Sequence, residues 1–87
     1  MTYFVLLHPK AAKALNKIEE KTRIKNKLQQ LKTEPQKAGK QLKHCEYYSL
    51  RIGNYRAIYE INPNQKQIII LYIGHRKNVY DDLSKIF

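Results

Sequence analysis

Residues 47–59 read Tyr-Tyr-Ser-Leu-Arg-Ile-Gly-Asn-Tyr-Arg-Ala-Ile-Tyr, and the other predicted elements can be placed around this segment. Apolar and polar side chains alternate on both sides of Gly53-Asn54, as they do in two half-buried strands joined by a tight turn. A two-residue turn needs central residues that tolerate positive φ, and it fixes the register of the two strands. The stretch therefore predicts a β-hairpin. The expected pairs are Ile52 with Tyr55, Leu50 with Ala57, and Arg51 with Arg56.

The alternation assigns the side chains of the hairpin to two faces. The face expected in the core carries Tyr48, Leu50, Ile52, Tyr55, Ala57, Tyr59 and Ile61. The other face carries Tyr47, Ser49, Arg51, Arg56, Ile58 and Glu60. Arg51 opposite Arg56 places two like charges across a ladder, which lowers stability unless solvent or an anion offsets the repulsion. We interpret the pair as a site for a phosphate of RNA, and the alternative is a solvated polar face.

The chain of 87 residues is long enough for one core, so residues 1–87 should form a single domain. Its 17 Lys and Arg against 7 Asp and Glu give a net charge of +10, which favours a polyanionic partner such as nucleic acid, an acidic protein or anionic lipid. Residues 1–45 hold 11 basic and 3 acidic side chains, and residues 46–87 hold 6 and 4. We therefore expect the lysine-rich half and the arginine pair to serve different roles.

The chain contains one cysteine, Cys45, so an internal disulfide and a cysteine-based zinc site are excluded. His8, His44 and His75 are too far apart in the sequence to suggest a metal site, and we expect neither a metal nor a cofactor. No signal sequence and no long apolar run is found near Met1. The expected location is cytoplasmic, without membrane binding.

The part of the chain before the hairpin predicts a strand and two helices. Residues 2–7 are apolar strand formers and predict a buried strand. Apolar stripes predict amphipathic helices over residues 9–20 and 22–34, with a break near Lys21-Thr22 because the two stripes are out of phase. Thr22 is a candidate cap for the second helix and Pro35 should end it. Residues 34–45 read as a polar loop.

The part after the hairpin predicts one more strand and a short helix, which completes an α+β domain with the order β-α-α-β-β-β-α. Residues 67–73 are apolar on both sides and predict a central strand. If Ile69, Leu71 and Ile73 face the helices, Arg76 lies on the side of the arginine pair. Residues 79–87 predict a terminal helix with two carboxylates in its first turn.

Four motifs accompany this order of elements: Gly39-Lys40-Gln41-Leu42-Lys43, residues 48–59, Ile73-Gly74-His75-Arg76 and Val79-Tyr80. Together they resemble the RelE/ParE toxin superfamily, over essentially the whole chain. The resemblance implies a RelE-like fold, in which two N-terminal helices pack on a small, mainly antiparallel, twisted sheet. It also implies a type II toxin that an acidic, RelB-like antitoxin neutralises in a toxin–antitoxin hetero-oligomer.

Members similar to RelE cut messenger RNA in the ribosomal A site without a metal, whereas members similar to ParE share the fold but poison DNA gyrase. The family's basic active-site positions fall on Arg51, Arg56 and Arg76, which favours a ribosome-dependent mRNA endonuclease. A ParE-like gyrase inhibitor and a catalytically silent binding protein are the alternatives. Ser49 stands where the best-known RNA-cutting members have a lysine, so the general base is left open.

The resemblance and the chemistry of RNA cleavage together suggest a role for each matched residue. Arg56 is expected to be the main transition-state stabiliser, Arg51 a phosphate clamp and candidate base, and Arg76 a stabiliser of charge near the leaving group. Tyr80 falls on the family's C-terminal tyrosine and would stack on or orient the substrate base, or else cap the terminal helix against the sheet. The residues assigned to RNA binding are Ser49, Lys40 and Lys43.

Overall fold

The computed structural model describes residues 3–42, 46–75 and 77. The elements are strand β1 (Phe4–Leu7), helix α1 (Pro9–Asn16), helix α2 (Lys21–Leu28), a 3-10 helix (Gln29–Lys32), helix α3 (Pro35–Ala38) and strands β2 (Lys40–Gln41), β3 (Tyr48–Ile52), β4 (Tyr55–Asn62) and β5 (Gln67–His75). The strands form one sheet in the order β1-β5-β4-β3-β2, in which β1 is parallel to β5 and the other neighbours are antiparallel. This confirms the predicted α+β fold. The helix predicted for residues 79–87 lies outside the described residues.

The hairpin of β3 and β4 has the predicted register. Its pairs include Ile52 with Tyr55, Leu50 with Ala57, and Arg51 with Arg56. At the turn, Gly53 has a φ of 59°. A positive φ was also expected for Asn54, and this is wrong. In the described part of the chain, Lys66 is the one residue other than glycine with a positive φ. Gly53 alone therefore supplies the left-handed conformation that the turn needs.

The main core lies between the helices and the predicted face of the hairpin. The buried residues on the helix side are Ala11, Leu15, Ile24, Leu28 and Leu31. The buried residues on the sheet side are Leu50, Ile52, Ala57, Tyr59, Ile68, Ile70 and Ile73, with Tyr48, Tyr55 and Ile61 packed at the margin. The apolar stripes of both helices are confirmed.

Strand β5 does not alternate as predicted. Ile69 and Leu71 were expected to face the helices. They lie on the opposite face of the sheet, where they pack near Ile58. The cause is an irregularity in the pairing of β5 with β4: Ile58 pairs with Tyr72, but Tyr59 pairs with Ile70. One extra residue in β5 shifts the phase of the alternation at that point. The side inferred for Arg76 depended on this alternation, and Arg76 lies outside the described residues.

Strand β1 was predicted to be buried, and this is wrong. It lies at the edge of the sheet, and Phe4, Leu6 and Leu7 are 68%, 45% and 38% exposed. An apolar run is compatible with burial on both sides, but the pattern does not show how many neighbours the strand has. Strand β5 was predicted to be central and does pair on both sides.

The ends of the helices differ from the predictions. Helix α1 ends at Asn16, before the predicted residue 20. Helix α2 begins at Lys21, just before the predicted start, and ends at Leu28, before the predicted residue 34. Thr22 is not the cap, because Glu20 holds that position and makes no side-chain capping hydrogen bond. Pro35 starts the one-turn helix α3 where a loop was predicted, since its fixed φ suits the first turn of a helix. No helix in the described part of the chain is long and apolar enough to cross a bilayer.

Tyr59 fastens α3 to the sheet. It is fully buried, its hydroxyl donates a hydrogen bond of 2.6 Å to the carbonyl oxygen of Pro35, and its ring stacks on that of Tyr48. Burial, and secondarily the neighbouring Tyr48, raises the pKa of Tyr59 to about 12, so the hydroxyl keeps its proton at physiological pH. Gly39 lies so close that a Cβ there would collide with this hydroxyl and lie 2.9 Å from the carbonyl oxygen of Ser49. The lack of a side chain at Gly39 therefore allows the chain between α3 and β2 to pack against Tyr59 and Ser49.

Candidate nucleic-acid interface

The sheet face that points away from the helices carries the predicted arginine pair. Arg51 and Arg56 are cross-strand partners, and Ser49 lies diagonal to Arg56 on the same face. Ser49 is only 4% exposed, and its hydroxyl accepts a hydrogen bond of 3.1 Å from Nη1 of Arg56. A buried hydroxyl therefore orients the guanidinium of Arg56 on the sheet face.

An apolar patch adjoins Arg56 on this face. Ile58 is fully buried and packs with Leu71, and the partly buried Tyr47 and Tyr72 lie at its margin. The ring of Tyr72 leans over Gly74, where a Cβ would lie 2.8 Å from the ring, and Gly74 is the partner of Arg56 in β5. Guanidinium donors beside aromatic rings are a combination that binds unstacked RNA bases. Sequence reasoning assigned Tyr72 no role in the site.

A second feature is a groove of about 340 Å³ between α2 and the hairpin turn. The residues that line this basic groove are Arg23, Asn26, Lys27, Gln30, Arg51, Ile52 and Gly53. Arg51 can take part because β2 pairs only with Tyr48 and Ser49, so the edge of β3 is open beside Arg51. The two paired arginines thus have different surroundings: Arg56 contacts Ser49, whereas Arg51 is exposed and lines the groove.

The lining of the basic groove suits an anion. Arg23, Lys27 and Arg51 are cations, Asn26 and Gln30 add amide donors, and none of the described residues that line the groove is a carboxylate. Glu20 accepts a hydrogen bond of 3.2 Å from Arg23, but both side chains are largely exposed, at 64% for Arg23 and 47% for Glu20. Exposed ion pairs of this kind contribute little, so the groove keeps its positive character. Guanidinium and ammonium groups with amide donors are typical ligands of phosphate.

Sequence reasoning missed the α2 residues of this groove. The division of charge between the two halves of the chain suggested separate roles, yet the structure brings Arg23 and Lys27 beside Arg51. A signal was present, because Arg23, Asn26, Lys27 and Gln30 have the spacing of one helix face. The sequence could not show that this face lies beside the hairpin turn.

The remaining predicted site residues divide into two groups. Lys40 is the cross-strand partner of Ser49, so it lies on the face of the arginine pair and is exposed there. Lys43, Arg76 and Tyr80 lie outside the described residues. His75 packs edge-on against Tyr55 with ring centroids 5.8 Å apart, and its Nδ1 accepts a hydrogen bond from the backbone N–H of Lys77. These contacts give His75 a structural role.

Comparison with known families decides the identity of the chain. The sequence model of the ParE toxin of type II toxin–antitoxin systems matches residues 5–80. The chain belongs to this toxin family. No curated protein sequence matches the toxin.

Solved structures extend the likeness to RelE-type toxins. The RelBE2 toxin–antitoxin complex of Mycobacterium tuberculosis contains a chain 27% identical to the toxin, with a TM-score of 0.77 over 87% of this chain and 100% of that one. The RelE–RelB complex of Pyrococcus horikoshii OT3 contains a chain 29% identical to the toxin, with a TM-score of 0.70 over 87% of this chain and 97% of that one. A chain of the chromosomal ParDE system of P. aeruginosa shares the fold at 19% identity, with a TM-score of 0.73 over 85% and 96%. The toxin is therefore a member of the RelE/ParE superfamily.

Proposed function

We propose that the toxin is a ribosome-dependent mRNA endonuclease, which cuts messenger RNA in the ribosomal A site without a metal and so inhibits translation. The observation that supports this most is the arginine pair across β3 and β4, in which the buried hydroxyl of Ser49 orients Arg56. Like charges placed opposite each other across a ladder repel, and a bound anion offsets that repulsion. A net charge of +10 favours a polyanionic partner, and in the proposed function the anion is a phosphate of the RNA.

The proposed reaction needs charge stabilisation more than a cofactor. The 2′-oxygen of one ribose attacks the neighbouring phosphorus as its proton leaves, and the bond from phosphorus to the 5′-oxygen breaks as that oxygen gains a proton. Negative charge builds up on the phosphate oxygens in between. Arg56 would donate hydrogen bonds to these oxygens, and Arg51 would clamp the phosphate and is a candidate base.

Three further roles complete this proposal. Arg76 would stabilise charge near the leaving 5′-oxygen, Tyr80 would stack on or orient the substrate base, and Lys40 and Lys43 would bind the RNA backbone. Ser49 accepts its hydrogen bond from Arg56, which fits a positioning residue. Arg51 is the candidate general base of the proposed reaction.

The basic groove would hold phosphates that neighbour the cut. It begins at Arg51, which belongs to both the arginine pair and the groove, and it continues to Arg23 and Lys27 on α2. Each phosphate that a protein neutralises releases counterions, so binding weakens steeply as salt is added. The groove thus makes a specific prediction about the salt dependence of RNA binding.

Replacing Arg23 and Lys27 together by glutamine should weaken binding of a short single-stranded RNA and flatten its salt dependence. Two phosphates would then go without a cation, so the slope of log affinity against log salt should fall by about 1.4, since each neutralised phosphate of a single strand contributes roughly 0.7. Fluorescence anisotropy at several salt concentrations measures the slope. The control is the Lys13→Gln, Lys17→Gln protein, which loses the same charge from exposed positions on and just after α1. Equal slopes for the two proteins would contradict RNA binding in the groove.

We also propose that an acidic antitoxin neutralises the toxin and that both act in the cytoplasm. The similar M. tuberculosis and P. horikoshii chains come from toxin–antitoxin complexes, the second with RelB. A net charge of +10 on a small toxin favours an acidic partner. Translating ribosomes, the proposed place of action, are cytoplasmic.

Inhibition of DNA gyrase is the second candidate function. Two observations favour it: the family match is to the ParE toxin, and Ser49 replaces the lysine of the best-known RNA-cutting members. A gyrase inhibitor would bind its target without chemistry of its own. In that case the arginine pair would contact an acidic protein surface.

Primer extension on a message under translation, with and without the toxin, separates the two functions. We expect new 5′ ends inside codons only when ribosomes and toxin are both present. A supercoiling assay with purified gyrase and plasmid DNA is run in parallel, and we expect no effect of the toxin there. Loss of supercoiling without new 5′ ends would replace the endonuclease proposal by gyrase inhibition.

A further inference from the structure

Two adjacent rows of side chains cross the outer face of the sheet, the face that points away from the helices. Cross-strand partners share a face, so the pairing of the strands gives the members of each row. From β2 to β5, the first row consists of Lys40, Ser49, Ile58 and Tyr72. The second row, nearer the hairpin turn, consists of Arg51, Arg56 and Gly74. The arginine pair and the ring of Tyr72 therefore belong to neighbouring rows.

Gly74 gives the ring of Tyr72 its place beside Arg56. It is the partner of Arg56 in β5 and has no side chain of its own. A Cβ at Gly74 would lie 2.8 Å from ring carbon Cε2 of Tyr72, so the ring fills the space that another residue would occupy. Arg56 thus has the hydroxyl of Ser49 on its β3 side and the aromatic ring on its β5 side.

The ring of Tyr72 is supported from below and partly open to solvent. It packs against the apolar patch around Ile58, which is fully buried, and Leu71. The side chain of Tyr72 is itself only partly buried. An aromatic ring that rests on an apolar floor loses little conformational freedom when a second flat group stacks on it. Its position therefore suits a stacking platform.

The charges on the outer face determine how a nucleotide would lie there. The arginine pair lies on the side of the ring nearer the hairpin turn. Glu60 lies on the same face, two residues beyond Ile58 in the other direction. A phosphate is attracted to the arginines and repelled by the carboxylate, so it would lie at the arginine end. Adjacent rows on one face are about 6.7 Å apart, which is close to the span from the phosphate of a nucleotide to its base.

We propose that Tyr72 stacks on the base of the nucleotide whose phosphate lies at the arginine pair, and that Gly74 positions the ring for this contact. The ligand is an unstacked base of single-stranded RNA, and a purine is favoured because it offers the larger flat face. The proposal rests on the proposed function, which places an RNA phosphate at the arginine pair, and adds a base subsite to it. This platform is separate from Tyr80, to which the family resemblance assigns a base.

The test measures binding of two fluorescent octamers to the purified toxin by fluorescence anisotropy. One is oligoadenylate, and the other is a chain of abasic riboses with the same phosphates. Tyr72→Leu keeps the apolar bulk over the patch but removes the flat ring. It should weaken binding of oligoadenylate about tenfold, as expected for the loss of one base–aromatic stack, and leave binding of the abasic chain unchanged. Tyr72→Phe keeps the ring and should bind both octamers like the original protein.

Two further variants show that the effect belongs to the ring of Tyr72. Tyr3→Leu is the matched control, because Tyr3 is also partly buried and has a lysine beside it, with Nζ of Lys66 5.6 Å from the ring centroid, but packs against the main core. It should bind both octamers like the original protein. Gly74→Ala should weaken oligoadenylate binding about threefold, and should have no effect in the Tyr72→Leu background, where no ring has to move. Circular dichroism checks that all variants are folded.

The abasic chain and the Arg56→Ala protein separate this proposal from the proposed function. Equal losses for both octamers in the Tyr72→Leu protein, or no loss for either, would overturn the base subsite. So would an octamer of glutamate that binds as tightly as oligoadenylate, since an acidic protein would then fit this face equally well. Arg56→Ala should weaken both octamers alike, because it removes a phosphate ligand. If it does so while Tyr72→Leu weakens neither, the phosphate site stands without the base subsite. If Arg56→Ala changes neither, both proposals fail.

Discussion

Replacing Arg56 by alanine should lower mRNA cleavage by about two to three orders of magnitude, which is the usual effect of removing one donor from a transition-state charge. The donor is already oriented, because Arg56 is held by the hydroxyl of the buried Ser49. The substitution removes that orientation together with the charge. Single-turnover cleavage of a message on programmed ribosomes measures the rate of the chemical step.

Two variants give this experiment its controls. Lys13→Ala removes one positive charge from an exposed position on α1 and should leave the rate unchanged. Arg56→Lys keeps the charge but loses the planar fork of donors, so its rate should lie between those of the original protein and the alanine variant. Thermal melting checks that all three proteins are folded. Undiminished cutting by the Arg56→Ala protein would remove Arg56 from the proposed mechanism.

The hairpin could be predicted because its determinants are local. Gly53-Asn54 fixes the register, and period-two alternation then assigns Arg51 and Arg56 to the same face without knowledge of the rest of the chain. The apolar stripes that contain Leu15 and Leu28 are equally local. In these segments the turn residues, the alternation of side chains and the burial of apolar residues all agree with the same structure.

The features that the sequence did not predict depend on contacts between distant segments. The bulge in β5 is set by how that strand pairs with β4, and it changed the sides of Ile69 and Leu71. The exposure of β1 depends on its place at the edge of the sheet, which an apolar run does not show. The basic groove exists because α2 lies beside the hairpin turn, which brings Arg23 next to Gly53. The basic groove therefore depends on how α2 packs beside the hairpin, which local sequence patterns do not show.

Replacing Gly39 by alanine should destabilise the fold by about 2–4 kcal/mol, although Gly39 has an ordinary negative φ and borders a polar segment. The new Cβ would collide with the hydroxyl of Tyr59 and press on the carbonyl oxygen of Ser49. Relief would require the ring to move away from Pro35, which breaks a buried hydrogen bond and disturbs the strand that carries Ser49. Urea unfolding followed by circular dichroism measures the loss of stability.

A double-mutant cycle identifies the colliding atom. Tyr59→Phe removes the hydroxyl, so Gly39→Ala should cost at least about 1 kcal/mol less in the phenylalanine background. Gly53→Ala is the matched control, because its cost comes from the positive φ of the turn and from the guanidinium of Arg23, and neither depends on Tyr59. If Gly39→Ala were equally costly in both backgrounds, the limiting contacts would be those that the phenylalanine variant keeps, with the carbonyl oxygen of Ser49 and with ring carbon Cε1 of residue 59, each 2.9 Å from the new Cβ. The hydroxyl of Tyr59 would then have no part in the requirement for glycine.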